Sequence, residues 1–189
     1  MRFALLTTCA VLISTPALAD EFEPALRAYL EDEVRGWAQS PVLLEALREM
    51  NVARAEYDQA TIDSLDSAWR AEIGSGSTPT ITPILENAAA EFLREQVASS
   101  GGRITEVFVM GAHGLNVAAS GLTSDMWQGD EAKFTDTFSV GADAVHIGDI
   151  ELDESTQRYQ GQVSLTITDP ETGEPIGAMT VGVDAESLL

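Results

Sequence analysis

The period of the apolar residues changes once along this chain, at Gly101-Gly102, and that change limits what the chain can fold into. Ahead of the glycine pair, Leu26, Tyr29, Leu30, Val34 and Trp37 recur at spacings of three and four, the stripe of a long amphipathic helix starting near Phe22. Ser40-Pro41 is a helix start, and the segment behind it carries Val42, Leu44, Leu47 and Met50. Asp58 caps a third segment with Ile62, Leu65, Trp69 and Ile73 on one face. Gly74 to Thr80 reads as a loop, and Thr82-Pro83 repeats the start signal for a helix bearing Leu85, Phe92, Leu93 and Val97. Gly101-Gly102 closes that helix.

Behind the pair the period is two. Ile104 to Met110 is rich in strand formers, His113-Gly114 suits a turn, and Leu115 to Ala119 is a second short strand. Ala144 to Leu152 reads as a third strand and Pro175 to Val183 as the last. Gln157 to Thr168 alternates most clearly, with Tyr159, Val163, Leu165 and Ile167 on one side. The other side carries Gln160, Gln162, Ser164 and Thr166, polar without being charged, which suits the lining of a pocket better than open solvent. Helices first and an antiparallel sheet afterwards predict an α+β domain.

Residues 1–19, MRFALLTTCAVLISTPALA, have the anatomy of an export signal: Arg2, an apolar run from Phe3 to Ile13, and Ala17-Leu18-Ala19 before the cut. A transmembrane anchor needs about 20 apolar residues and no Pro16. Cleavage between Ala19 and Asp20 would leave residues 20–189 as one periplasmic domain without Cys9, the only cysteine, and so without disulfides or a zinc-thiolate site. With 31 acidic residues against 10 basic ones the formal charge is −21, which excludes nucleic acid and anionic membrane surfaces as partners. After signal cleavage nothing in the chain inserts into a membrane.

Several stretches are similar to the single Cache domains, the PAS-like extracytoplasmic sensors of bacterial receptors. EVFVMGAHGLNVAAS (106–120) resembles their opening hairpin, with Gly111 where aspartate is common, and GEPIGAMTVGVDAESL (173–188) their closing strand. TSDMWQGDEAKF together with DIELDESTQRYQGQVSLTITDPETGEPIGA is similar to standalone exported sensor-domain proteins of proteobacteria, with Met126 in place of an expected tyrosine. The resemblance implies a long N-terminal helix and further helices on one face of a five-stranded antiparallel sheet, and a small-molecule pocket on the other face. It implies no particular ligand, because the arginine-tryptophan-tyrosine pattern of amino-acid sensors is absent. Cache domains usually sit in kinases or chemoreceptors, so a separate membrane receptor or sensor kinase is the implied partner. Long helices of such sensors often pair, which implies a weak homodimer.

The candidate ligand site is the cluster TSDMWQGDE (123–131). Trp127 offers an aromatic face, and Asp125, Asp130 and Glu131 offer anionic acceptors, a set suited to a cationic or polar ligand, with Trp127, Asp125 and Asp130 foremost. Gln162 and Ser164 join them from the polar side of the fourth strand. The same cluster also reads as a plain helix start, with Ser124 or Asp125 as cap and Trp127, Phe134 and Phe138 as its buried side. Acids from Asp149 to Glu154 leave calcium open, though an EF-hand's glycine and spacing are missing. No G-x-S-x-G occurs, and no cofactor or catalytic residue is implied. Two rival readings remain: an interaction module with a vestigial pocket, and a carboxylate-based hydrolase.

Overall fold

The computed structural model describes residues 19–153 and 158–188. All but the last residue of the export segment, including Cys9, and Glu154 of the acidic strand end lie outside the described residues.

The first helical stretch runs through α1 (Ala19–Tyr29), a π-turn (Leu30–Val34) and α2 (Arg35–Ala38). Leu26, Leu30, Val34 and Ala38 are all buried, a spacing of four at every step. At about 100° per residue such a run drifts around an α-helix, and a wider π-turn in its middle returns the later residues to the sheet. The outward side carries the ion pairs Glu23–Arg27 and Glu31–Arg35. The apolar stripe therefore lies against the sheet.

Helix α3 (Pro41–Ala53) starts behind Ser40 as expected and buries Leu43, Leu44 and Leu47. In α4 (Gln59–Glu72) the Asp58 carboxylate accepts the Thr61 N–H at 2.9 Å, and Ile62 and Trp69 are buried. Ile73, expected on that face, ends the helix half-exposed. The single helix expected after Thr82-Pro83 is two: α5 (Thr82–Leu85) and α6 (Ala88–Ser99). Asn87 separates them, since its side chain accepts the Ala90 N–H at 2.8 Å and so starts a new helix. Its amide nitrogen donates to the Val117 carbonyl at 3.0 Å, tying the start of α6 to the sheet.

The strands are β1 (Ile104–Gly111), β2 (Asn116–Ala119), β3 (Val145–Ile147), β4 (Glu151–Asp153), β5 (Arg158–Thr168) and β6 (Pro175–Asp184), with the short helix α7 (Ala132–Thr135) between β2 and β3. The sheet is antiparallel with order β2-β1-β6-β5-β3, and β4 also pairs with β5. Val145 to Ile147 pair with Val163 to Leu165, and Glu151 to Asp153 pair with Arg158 to Gln160. The two short strands thus fill one edge position end to end. The sheet has the five positions expected, and the third strand read as continuous is interrupted at residues 148–150.

Alternation along β5 and β6 divides the interior. Val163, Leu165, Ile167, Met179, Val181 and Val183 pack with Leu26, Leu30, Val34 and Leu47 of the helices. A Cβ on Gly161 would lie 2.6 Å from Leu26 Cδ1, so the bare backbone there lets α1 lie close to the sheet. On the opposite face Phe108, Met110 and Ala178 form a second core with Trp69, Met126 and Phe134. That second face carries the candidate site.

Candidate functional site

Three elements build the site: the second face of the sheet, helix α4, and the crossing segment from Gly121 to Gly148. The crossing segment is tied to α4 at two points. Asp66 Oδ1 accepts the backbone N–H groups of Met126 and Trp127 at 3.0 and 3.1 Å. The fully buried Trp69 donates its indole N–H to the Thr123 carbonyl at 2.9 Å. Asn116 of β2 adds a third tie, donating to Thr123 Oγ1 and to the Asp125 carbonyl at 3.0 and 3.1 Å. Each tie satisfies a backbone or amide group that would otherwise be buried without a partner.

Between this segment and the sheet lie two neighbouring cavities of about 310 Å³ and about 390 Å³. Lys133, Gln160 and Gln162 line both. The smaller adds Glu131, His146 and Asp149; the larger adds Glu106, Phe108, Gln128 and, at its edge, the half-exposed Ile73 and Leu122. The Gln160 and Gln162 side-chain amides donate to Glu106 Oε1 at 3.4 and 3.3 Å, and Thr105 Oγ1 donates to Gln160 Oε1 at 2.6 Å. Gly182 pairs with Glu106 on one side and Gln162 on the other. A Cβ there would lie 2.5 Å from Thr105 Oγ1 and 2.8 Å from Glu106 Cγ, so only glycine lets these polar groups converge.

Above that floor stands Lys133 of α7, the only lysine of the chain. Its ammonium lies 3.0 Å from Glu131 Oε2, 3.3 Å from Gln128 Oε1 and 5.4 Å from the centroid of the Phe108 ring. His146 Nδ1 lies 3.4 Å from Asp136 Oδ2 at the far side of the smaller cavity. Among the described residues no three histidine, cysteine, aspartate or glutamate side chains gather closely enough to hold a metal ion.

Of the residues picked out from the sequence, Gln162 lines both cavities. Ser164 sits one pair further along the same face, fully buried and 3.0 Å from Thr180 Oγ1. Asp125, Trp127 and Asp130 line neither cavity. Trp127 lies against the β1–β2 turn, where its N–H donates to the His113 carbonyl at 2.9 Å and its backbone bridges Leu115. Asp125 is turned toward Gln128 and Arg70, and Asp130 is exposed. Burial pushes the Asp125 carboxyl above its ordinary range, and the Glu131 and Asp66 charges add to that push. The helix expected to start at Ser124 or Asp125 starts behind Glu131. Phe134 and Phe138 stack at 5.0 Å.

Sequence reasoning missed Glu106, Phe108, Gln128, Lys133 and Gly182. One signal was available for Lys133: a lone lysine in a chain with 31 acids. Glu106 and Phe108 share the alternate face of β1, which the period of two makes readable once the sheet's sides are known.

No family model and no curated protein sequence matches the chain. Solved structures do. The sensor domain of the Vibrio cholerae histidine kinase DctB matches at 13% identity and TM-score 0.46, over 89% of this chain and 54% of that one. The sensory domain of the Campylobacter jejuni chemoreceptor Tlp3 with isoleucine bound matches at 17% identity and TM-score 0.42, over 88% and 63%. The ligand-binding domain of the Pseudomonas aeruginosa amino-acid chemoreceptor PctC, in complex with GABA, matches at 14% identity and TM-score 0.41, over 90% and 60%. This chain spans less than two thirds of each, and at these TM-scores neither ligand nor partner transfers to it. Its own topology carries the fold class: the long helix with α3 and α6 on one face, α4, α5 and α7 on the other, a five-position antiparallel sheet between them, an opening hairpin at one edge and the closing strand in the middle. The sheet order is PAS-like. Within this fold the two cavities lie on the sheet face away from the long helix. Among the described residues no helix is long and apolar enough to cross a membrane.

Proposed function

We propose that this protein is a periplasmic small-molecule sensor that takes its ligand into the cleft between α7 and the sheet and presents the bound state to a separate membrane receptor or sensor kinase. The observation that carries this reading is the meeting of two cavities at Gln160, Gln162 and Lys133, on a face whose polar groups converge over Gly182. Concave, partly polar sites with apolar rims are where small ligands lose most of their water. Gln162 touches the ligand in this reading. Trp127 and Asp125 hold the loop that presents Gln128, and Ser164 and Thr180 support the floor. Residues 1–19 deliver the protein to the periplasm and are removed there.

A thermal-shift screen of small polar metabolites tests the reading. Concentration-dependent stabilisation, lost in Gln162→Ala, supports it, because a ligand that binds only the folded state raises stability by mass action. No stabilisation by any compound leaves the interaction module with a vestigial pocket. N-terminal sequencing of the periplasmic protein tests export: a start at Asp20 is expected, and a start at an acylated Cys9 would replace the soluble form with a lipid-anchored one.

A further inference from the structure

The cleft already holds one cation, and it belongs to the chain. The Lys133 ammonium has the Phe108 ring on one side at 5.4 Å, the Glu131 carboxylate at 3.0 Å and the Gln128 carbonyl oxygen at 3.3 Å. An aromatic face, a carboxylate and an amide oxygen are what a partly desolvated organic ammonium requires. This seat lies where the two cavities meet, and the lysine side chain is 17% exposed. Further acceptors stand beyond it on either side, Glu106 in the larger cavity and Asp149 in the smaller.

The parts of the seat differ in how firmly they are fixed. Phe108 is buried in the second core and Gln128 is buried within the crossing segment. Lys133 reaches in on a flexible four-carbon stem from a four-residue helix, and its carboxylate partner Glu131 is 40% exposed. Swinging the ammonium out to water breaks one ion pair to a partly exposed carboxylate, the long bond to Gln128 and the contact with the Phe108 ring, and leaves the rest of the seat standing. An anion bound at Lys133 would instead share the space with Glu131 and with Glu106 of the adjoining cavity, both of which would repel it if ionised.

We infer that the ligand of this cleft is an organic cation, a primary amine, diamine or quaternary ammonium, which takes the seat over Phe108 and drives the Lys133 side chain out. Lys133 is then a tethered stand-in that competes with the ligand and keeps the seat filled when it is absent. The inference rests on the ligand-binding reading above.

Titration calorimetry with 1,4-diaminobutane and with tetramethylammonium, on the wild type and Lys133→Met, tests it. Removing the competitor should tighten binding of these cations by about tenfold, the ratio set by roughly 1.4 kcal/mol of lost competition. Glu131→Gln in the Lys133→Met background, a change at a half-exposed position, should reverse that gain. A second measurement needs no substitution at the seat: ¹⁵N-lysine labelling gives one side-chain signal from Lys133, which should move toward that of a water-exposed lysine as 1,4-diaminobutane is added. Equal cation affinity in wild type and Lys133→Met, or a Lys133 signal that stays still while the cation binds, overturns the inference. Binding of succinate to the wild type that disappears in Lys133→Met overturns it too and leaves the sensor reading standing. If neither protein binds any compound of the metabolite screen, both fall together.

Discussion

Asp66 and Trp127 are 61 residues apart, and one carboxylate oxygen of the first accepts the backbone N–H of the second at 3.1 Å. The same oxygen accepts the Met126 N–H, so a single side chain of α4 holds two consecutive peptide groups of the crossing segment. Replacing it leaves both donors part-buried without that acceptor. Asp66→Ala should cost about 1–3 kcal/mol, the desolvation penalty of unpaired buried groups. Amide exchange should quicken over 123–131 well before the central strands. Unchanged exchange there would mean that the segment does not depend on α4.

Trp127 was the centre of the ligand site suggested by the sequence, and its place against the β1–β2 turn gives a different expectation. Trp127→Phe keeps a ring and removes the N–H donor to the His113 carbonyl, a loss of about 1 kcal/mol. Ligand affinity should stay within twofold of wild type, and Asp130→Asn at its exposed position should change neither stability nor affinity. Loss of binding in both variants, with stability intact, would return the site to the loop.

Two glycines on opposite faces of the sheet form a matched pair. Gly182→Ala puts a Cβ against Thr105 and Glu106 in the cleft floor, and Gly161→Ala puts one against Leu26 beneath α1. Each should destabilise by about 1–3 kcal/mol through overpacking. Only Gly182→Ala should also abolish stabilisation by ligand. Equal loss of ligand response in the two would show that the cleft is sensitive to any loosening of the sheet.

Acid stability has one identifiable source in the Arg48–Asp169 fork. Two parallel bonds of 2.7 and 2.6 Å from Arg48, joined by the Glu171 backbone N–H, hold the Asp169 carboxyl at about 2. Its unfolded value is about 3.9, so between these values the unfolded chain binds the extra proton. The contribution is complete above about pH 4 and disappears as pH falls through 2. Urea unfolding of wild type and Arg48→Gln should therefore differ by a constant amount near neutrality, with the gap closing in acid. A gap that persists at pH 2 would assign the effect of Arg48 to packing.

With its apolar side against the sheet, the N-terminal helix can pair only through its charged outward side. A homodimer formed there should be weak and strengthened by salt, because screening relieves repulsion between copies of formal charge −21. Light scattering in 50 mM and 500 mM salt is the measurement. Strict monomers in both would remove the dimer.

Local signals made most of the fold legible. The Asp58 cap, the Pro41 start and the two-residue period of β5 each follow from neighbours in sequence. Asn87 was hidden because the stronger Thr82-Pro83 signal stands just ahead of it and opens a helix of only four residues. The edge strand looked continuous, yet after Gly148 donates its N–H to Gln162 the chain leaves β5 and returns only at Glu151. Of the site, the polar row Gln160 and Gln162 was readable from alternation alone. Phe108, Gln128 and Lys133 were not, since their meeting depends on how the crossing segment folds back over β1. Within TSDMWQGDE the side chains of Trp127 and Asp125 brace the segment, while Gln128 and Glu131 of the same cluster line the cleft.

The π-turn at Leu30–Val34 makes the helix tolerant of a change in length that α3 would not accept. From Leu26 to Ala38 is twelve residues, which in a regular α-helix would leave the two side chains about 120° apart around the axis. Eleven residues would leave them about 20° apart. A chain lacking Asp32 would wind as an unbroken α-helix and still turn Leu26, Leu30, the old Val34 and the old Ala38 toward the sheet, their spacing reset from four-four-four to four-three-four. The same deletion within α3 would rotate Leu47 off Gly177 by about 100° and unseat it. Relatives of this protein that differ by one residue in this helix should keep the same sheet beneath it.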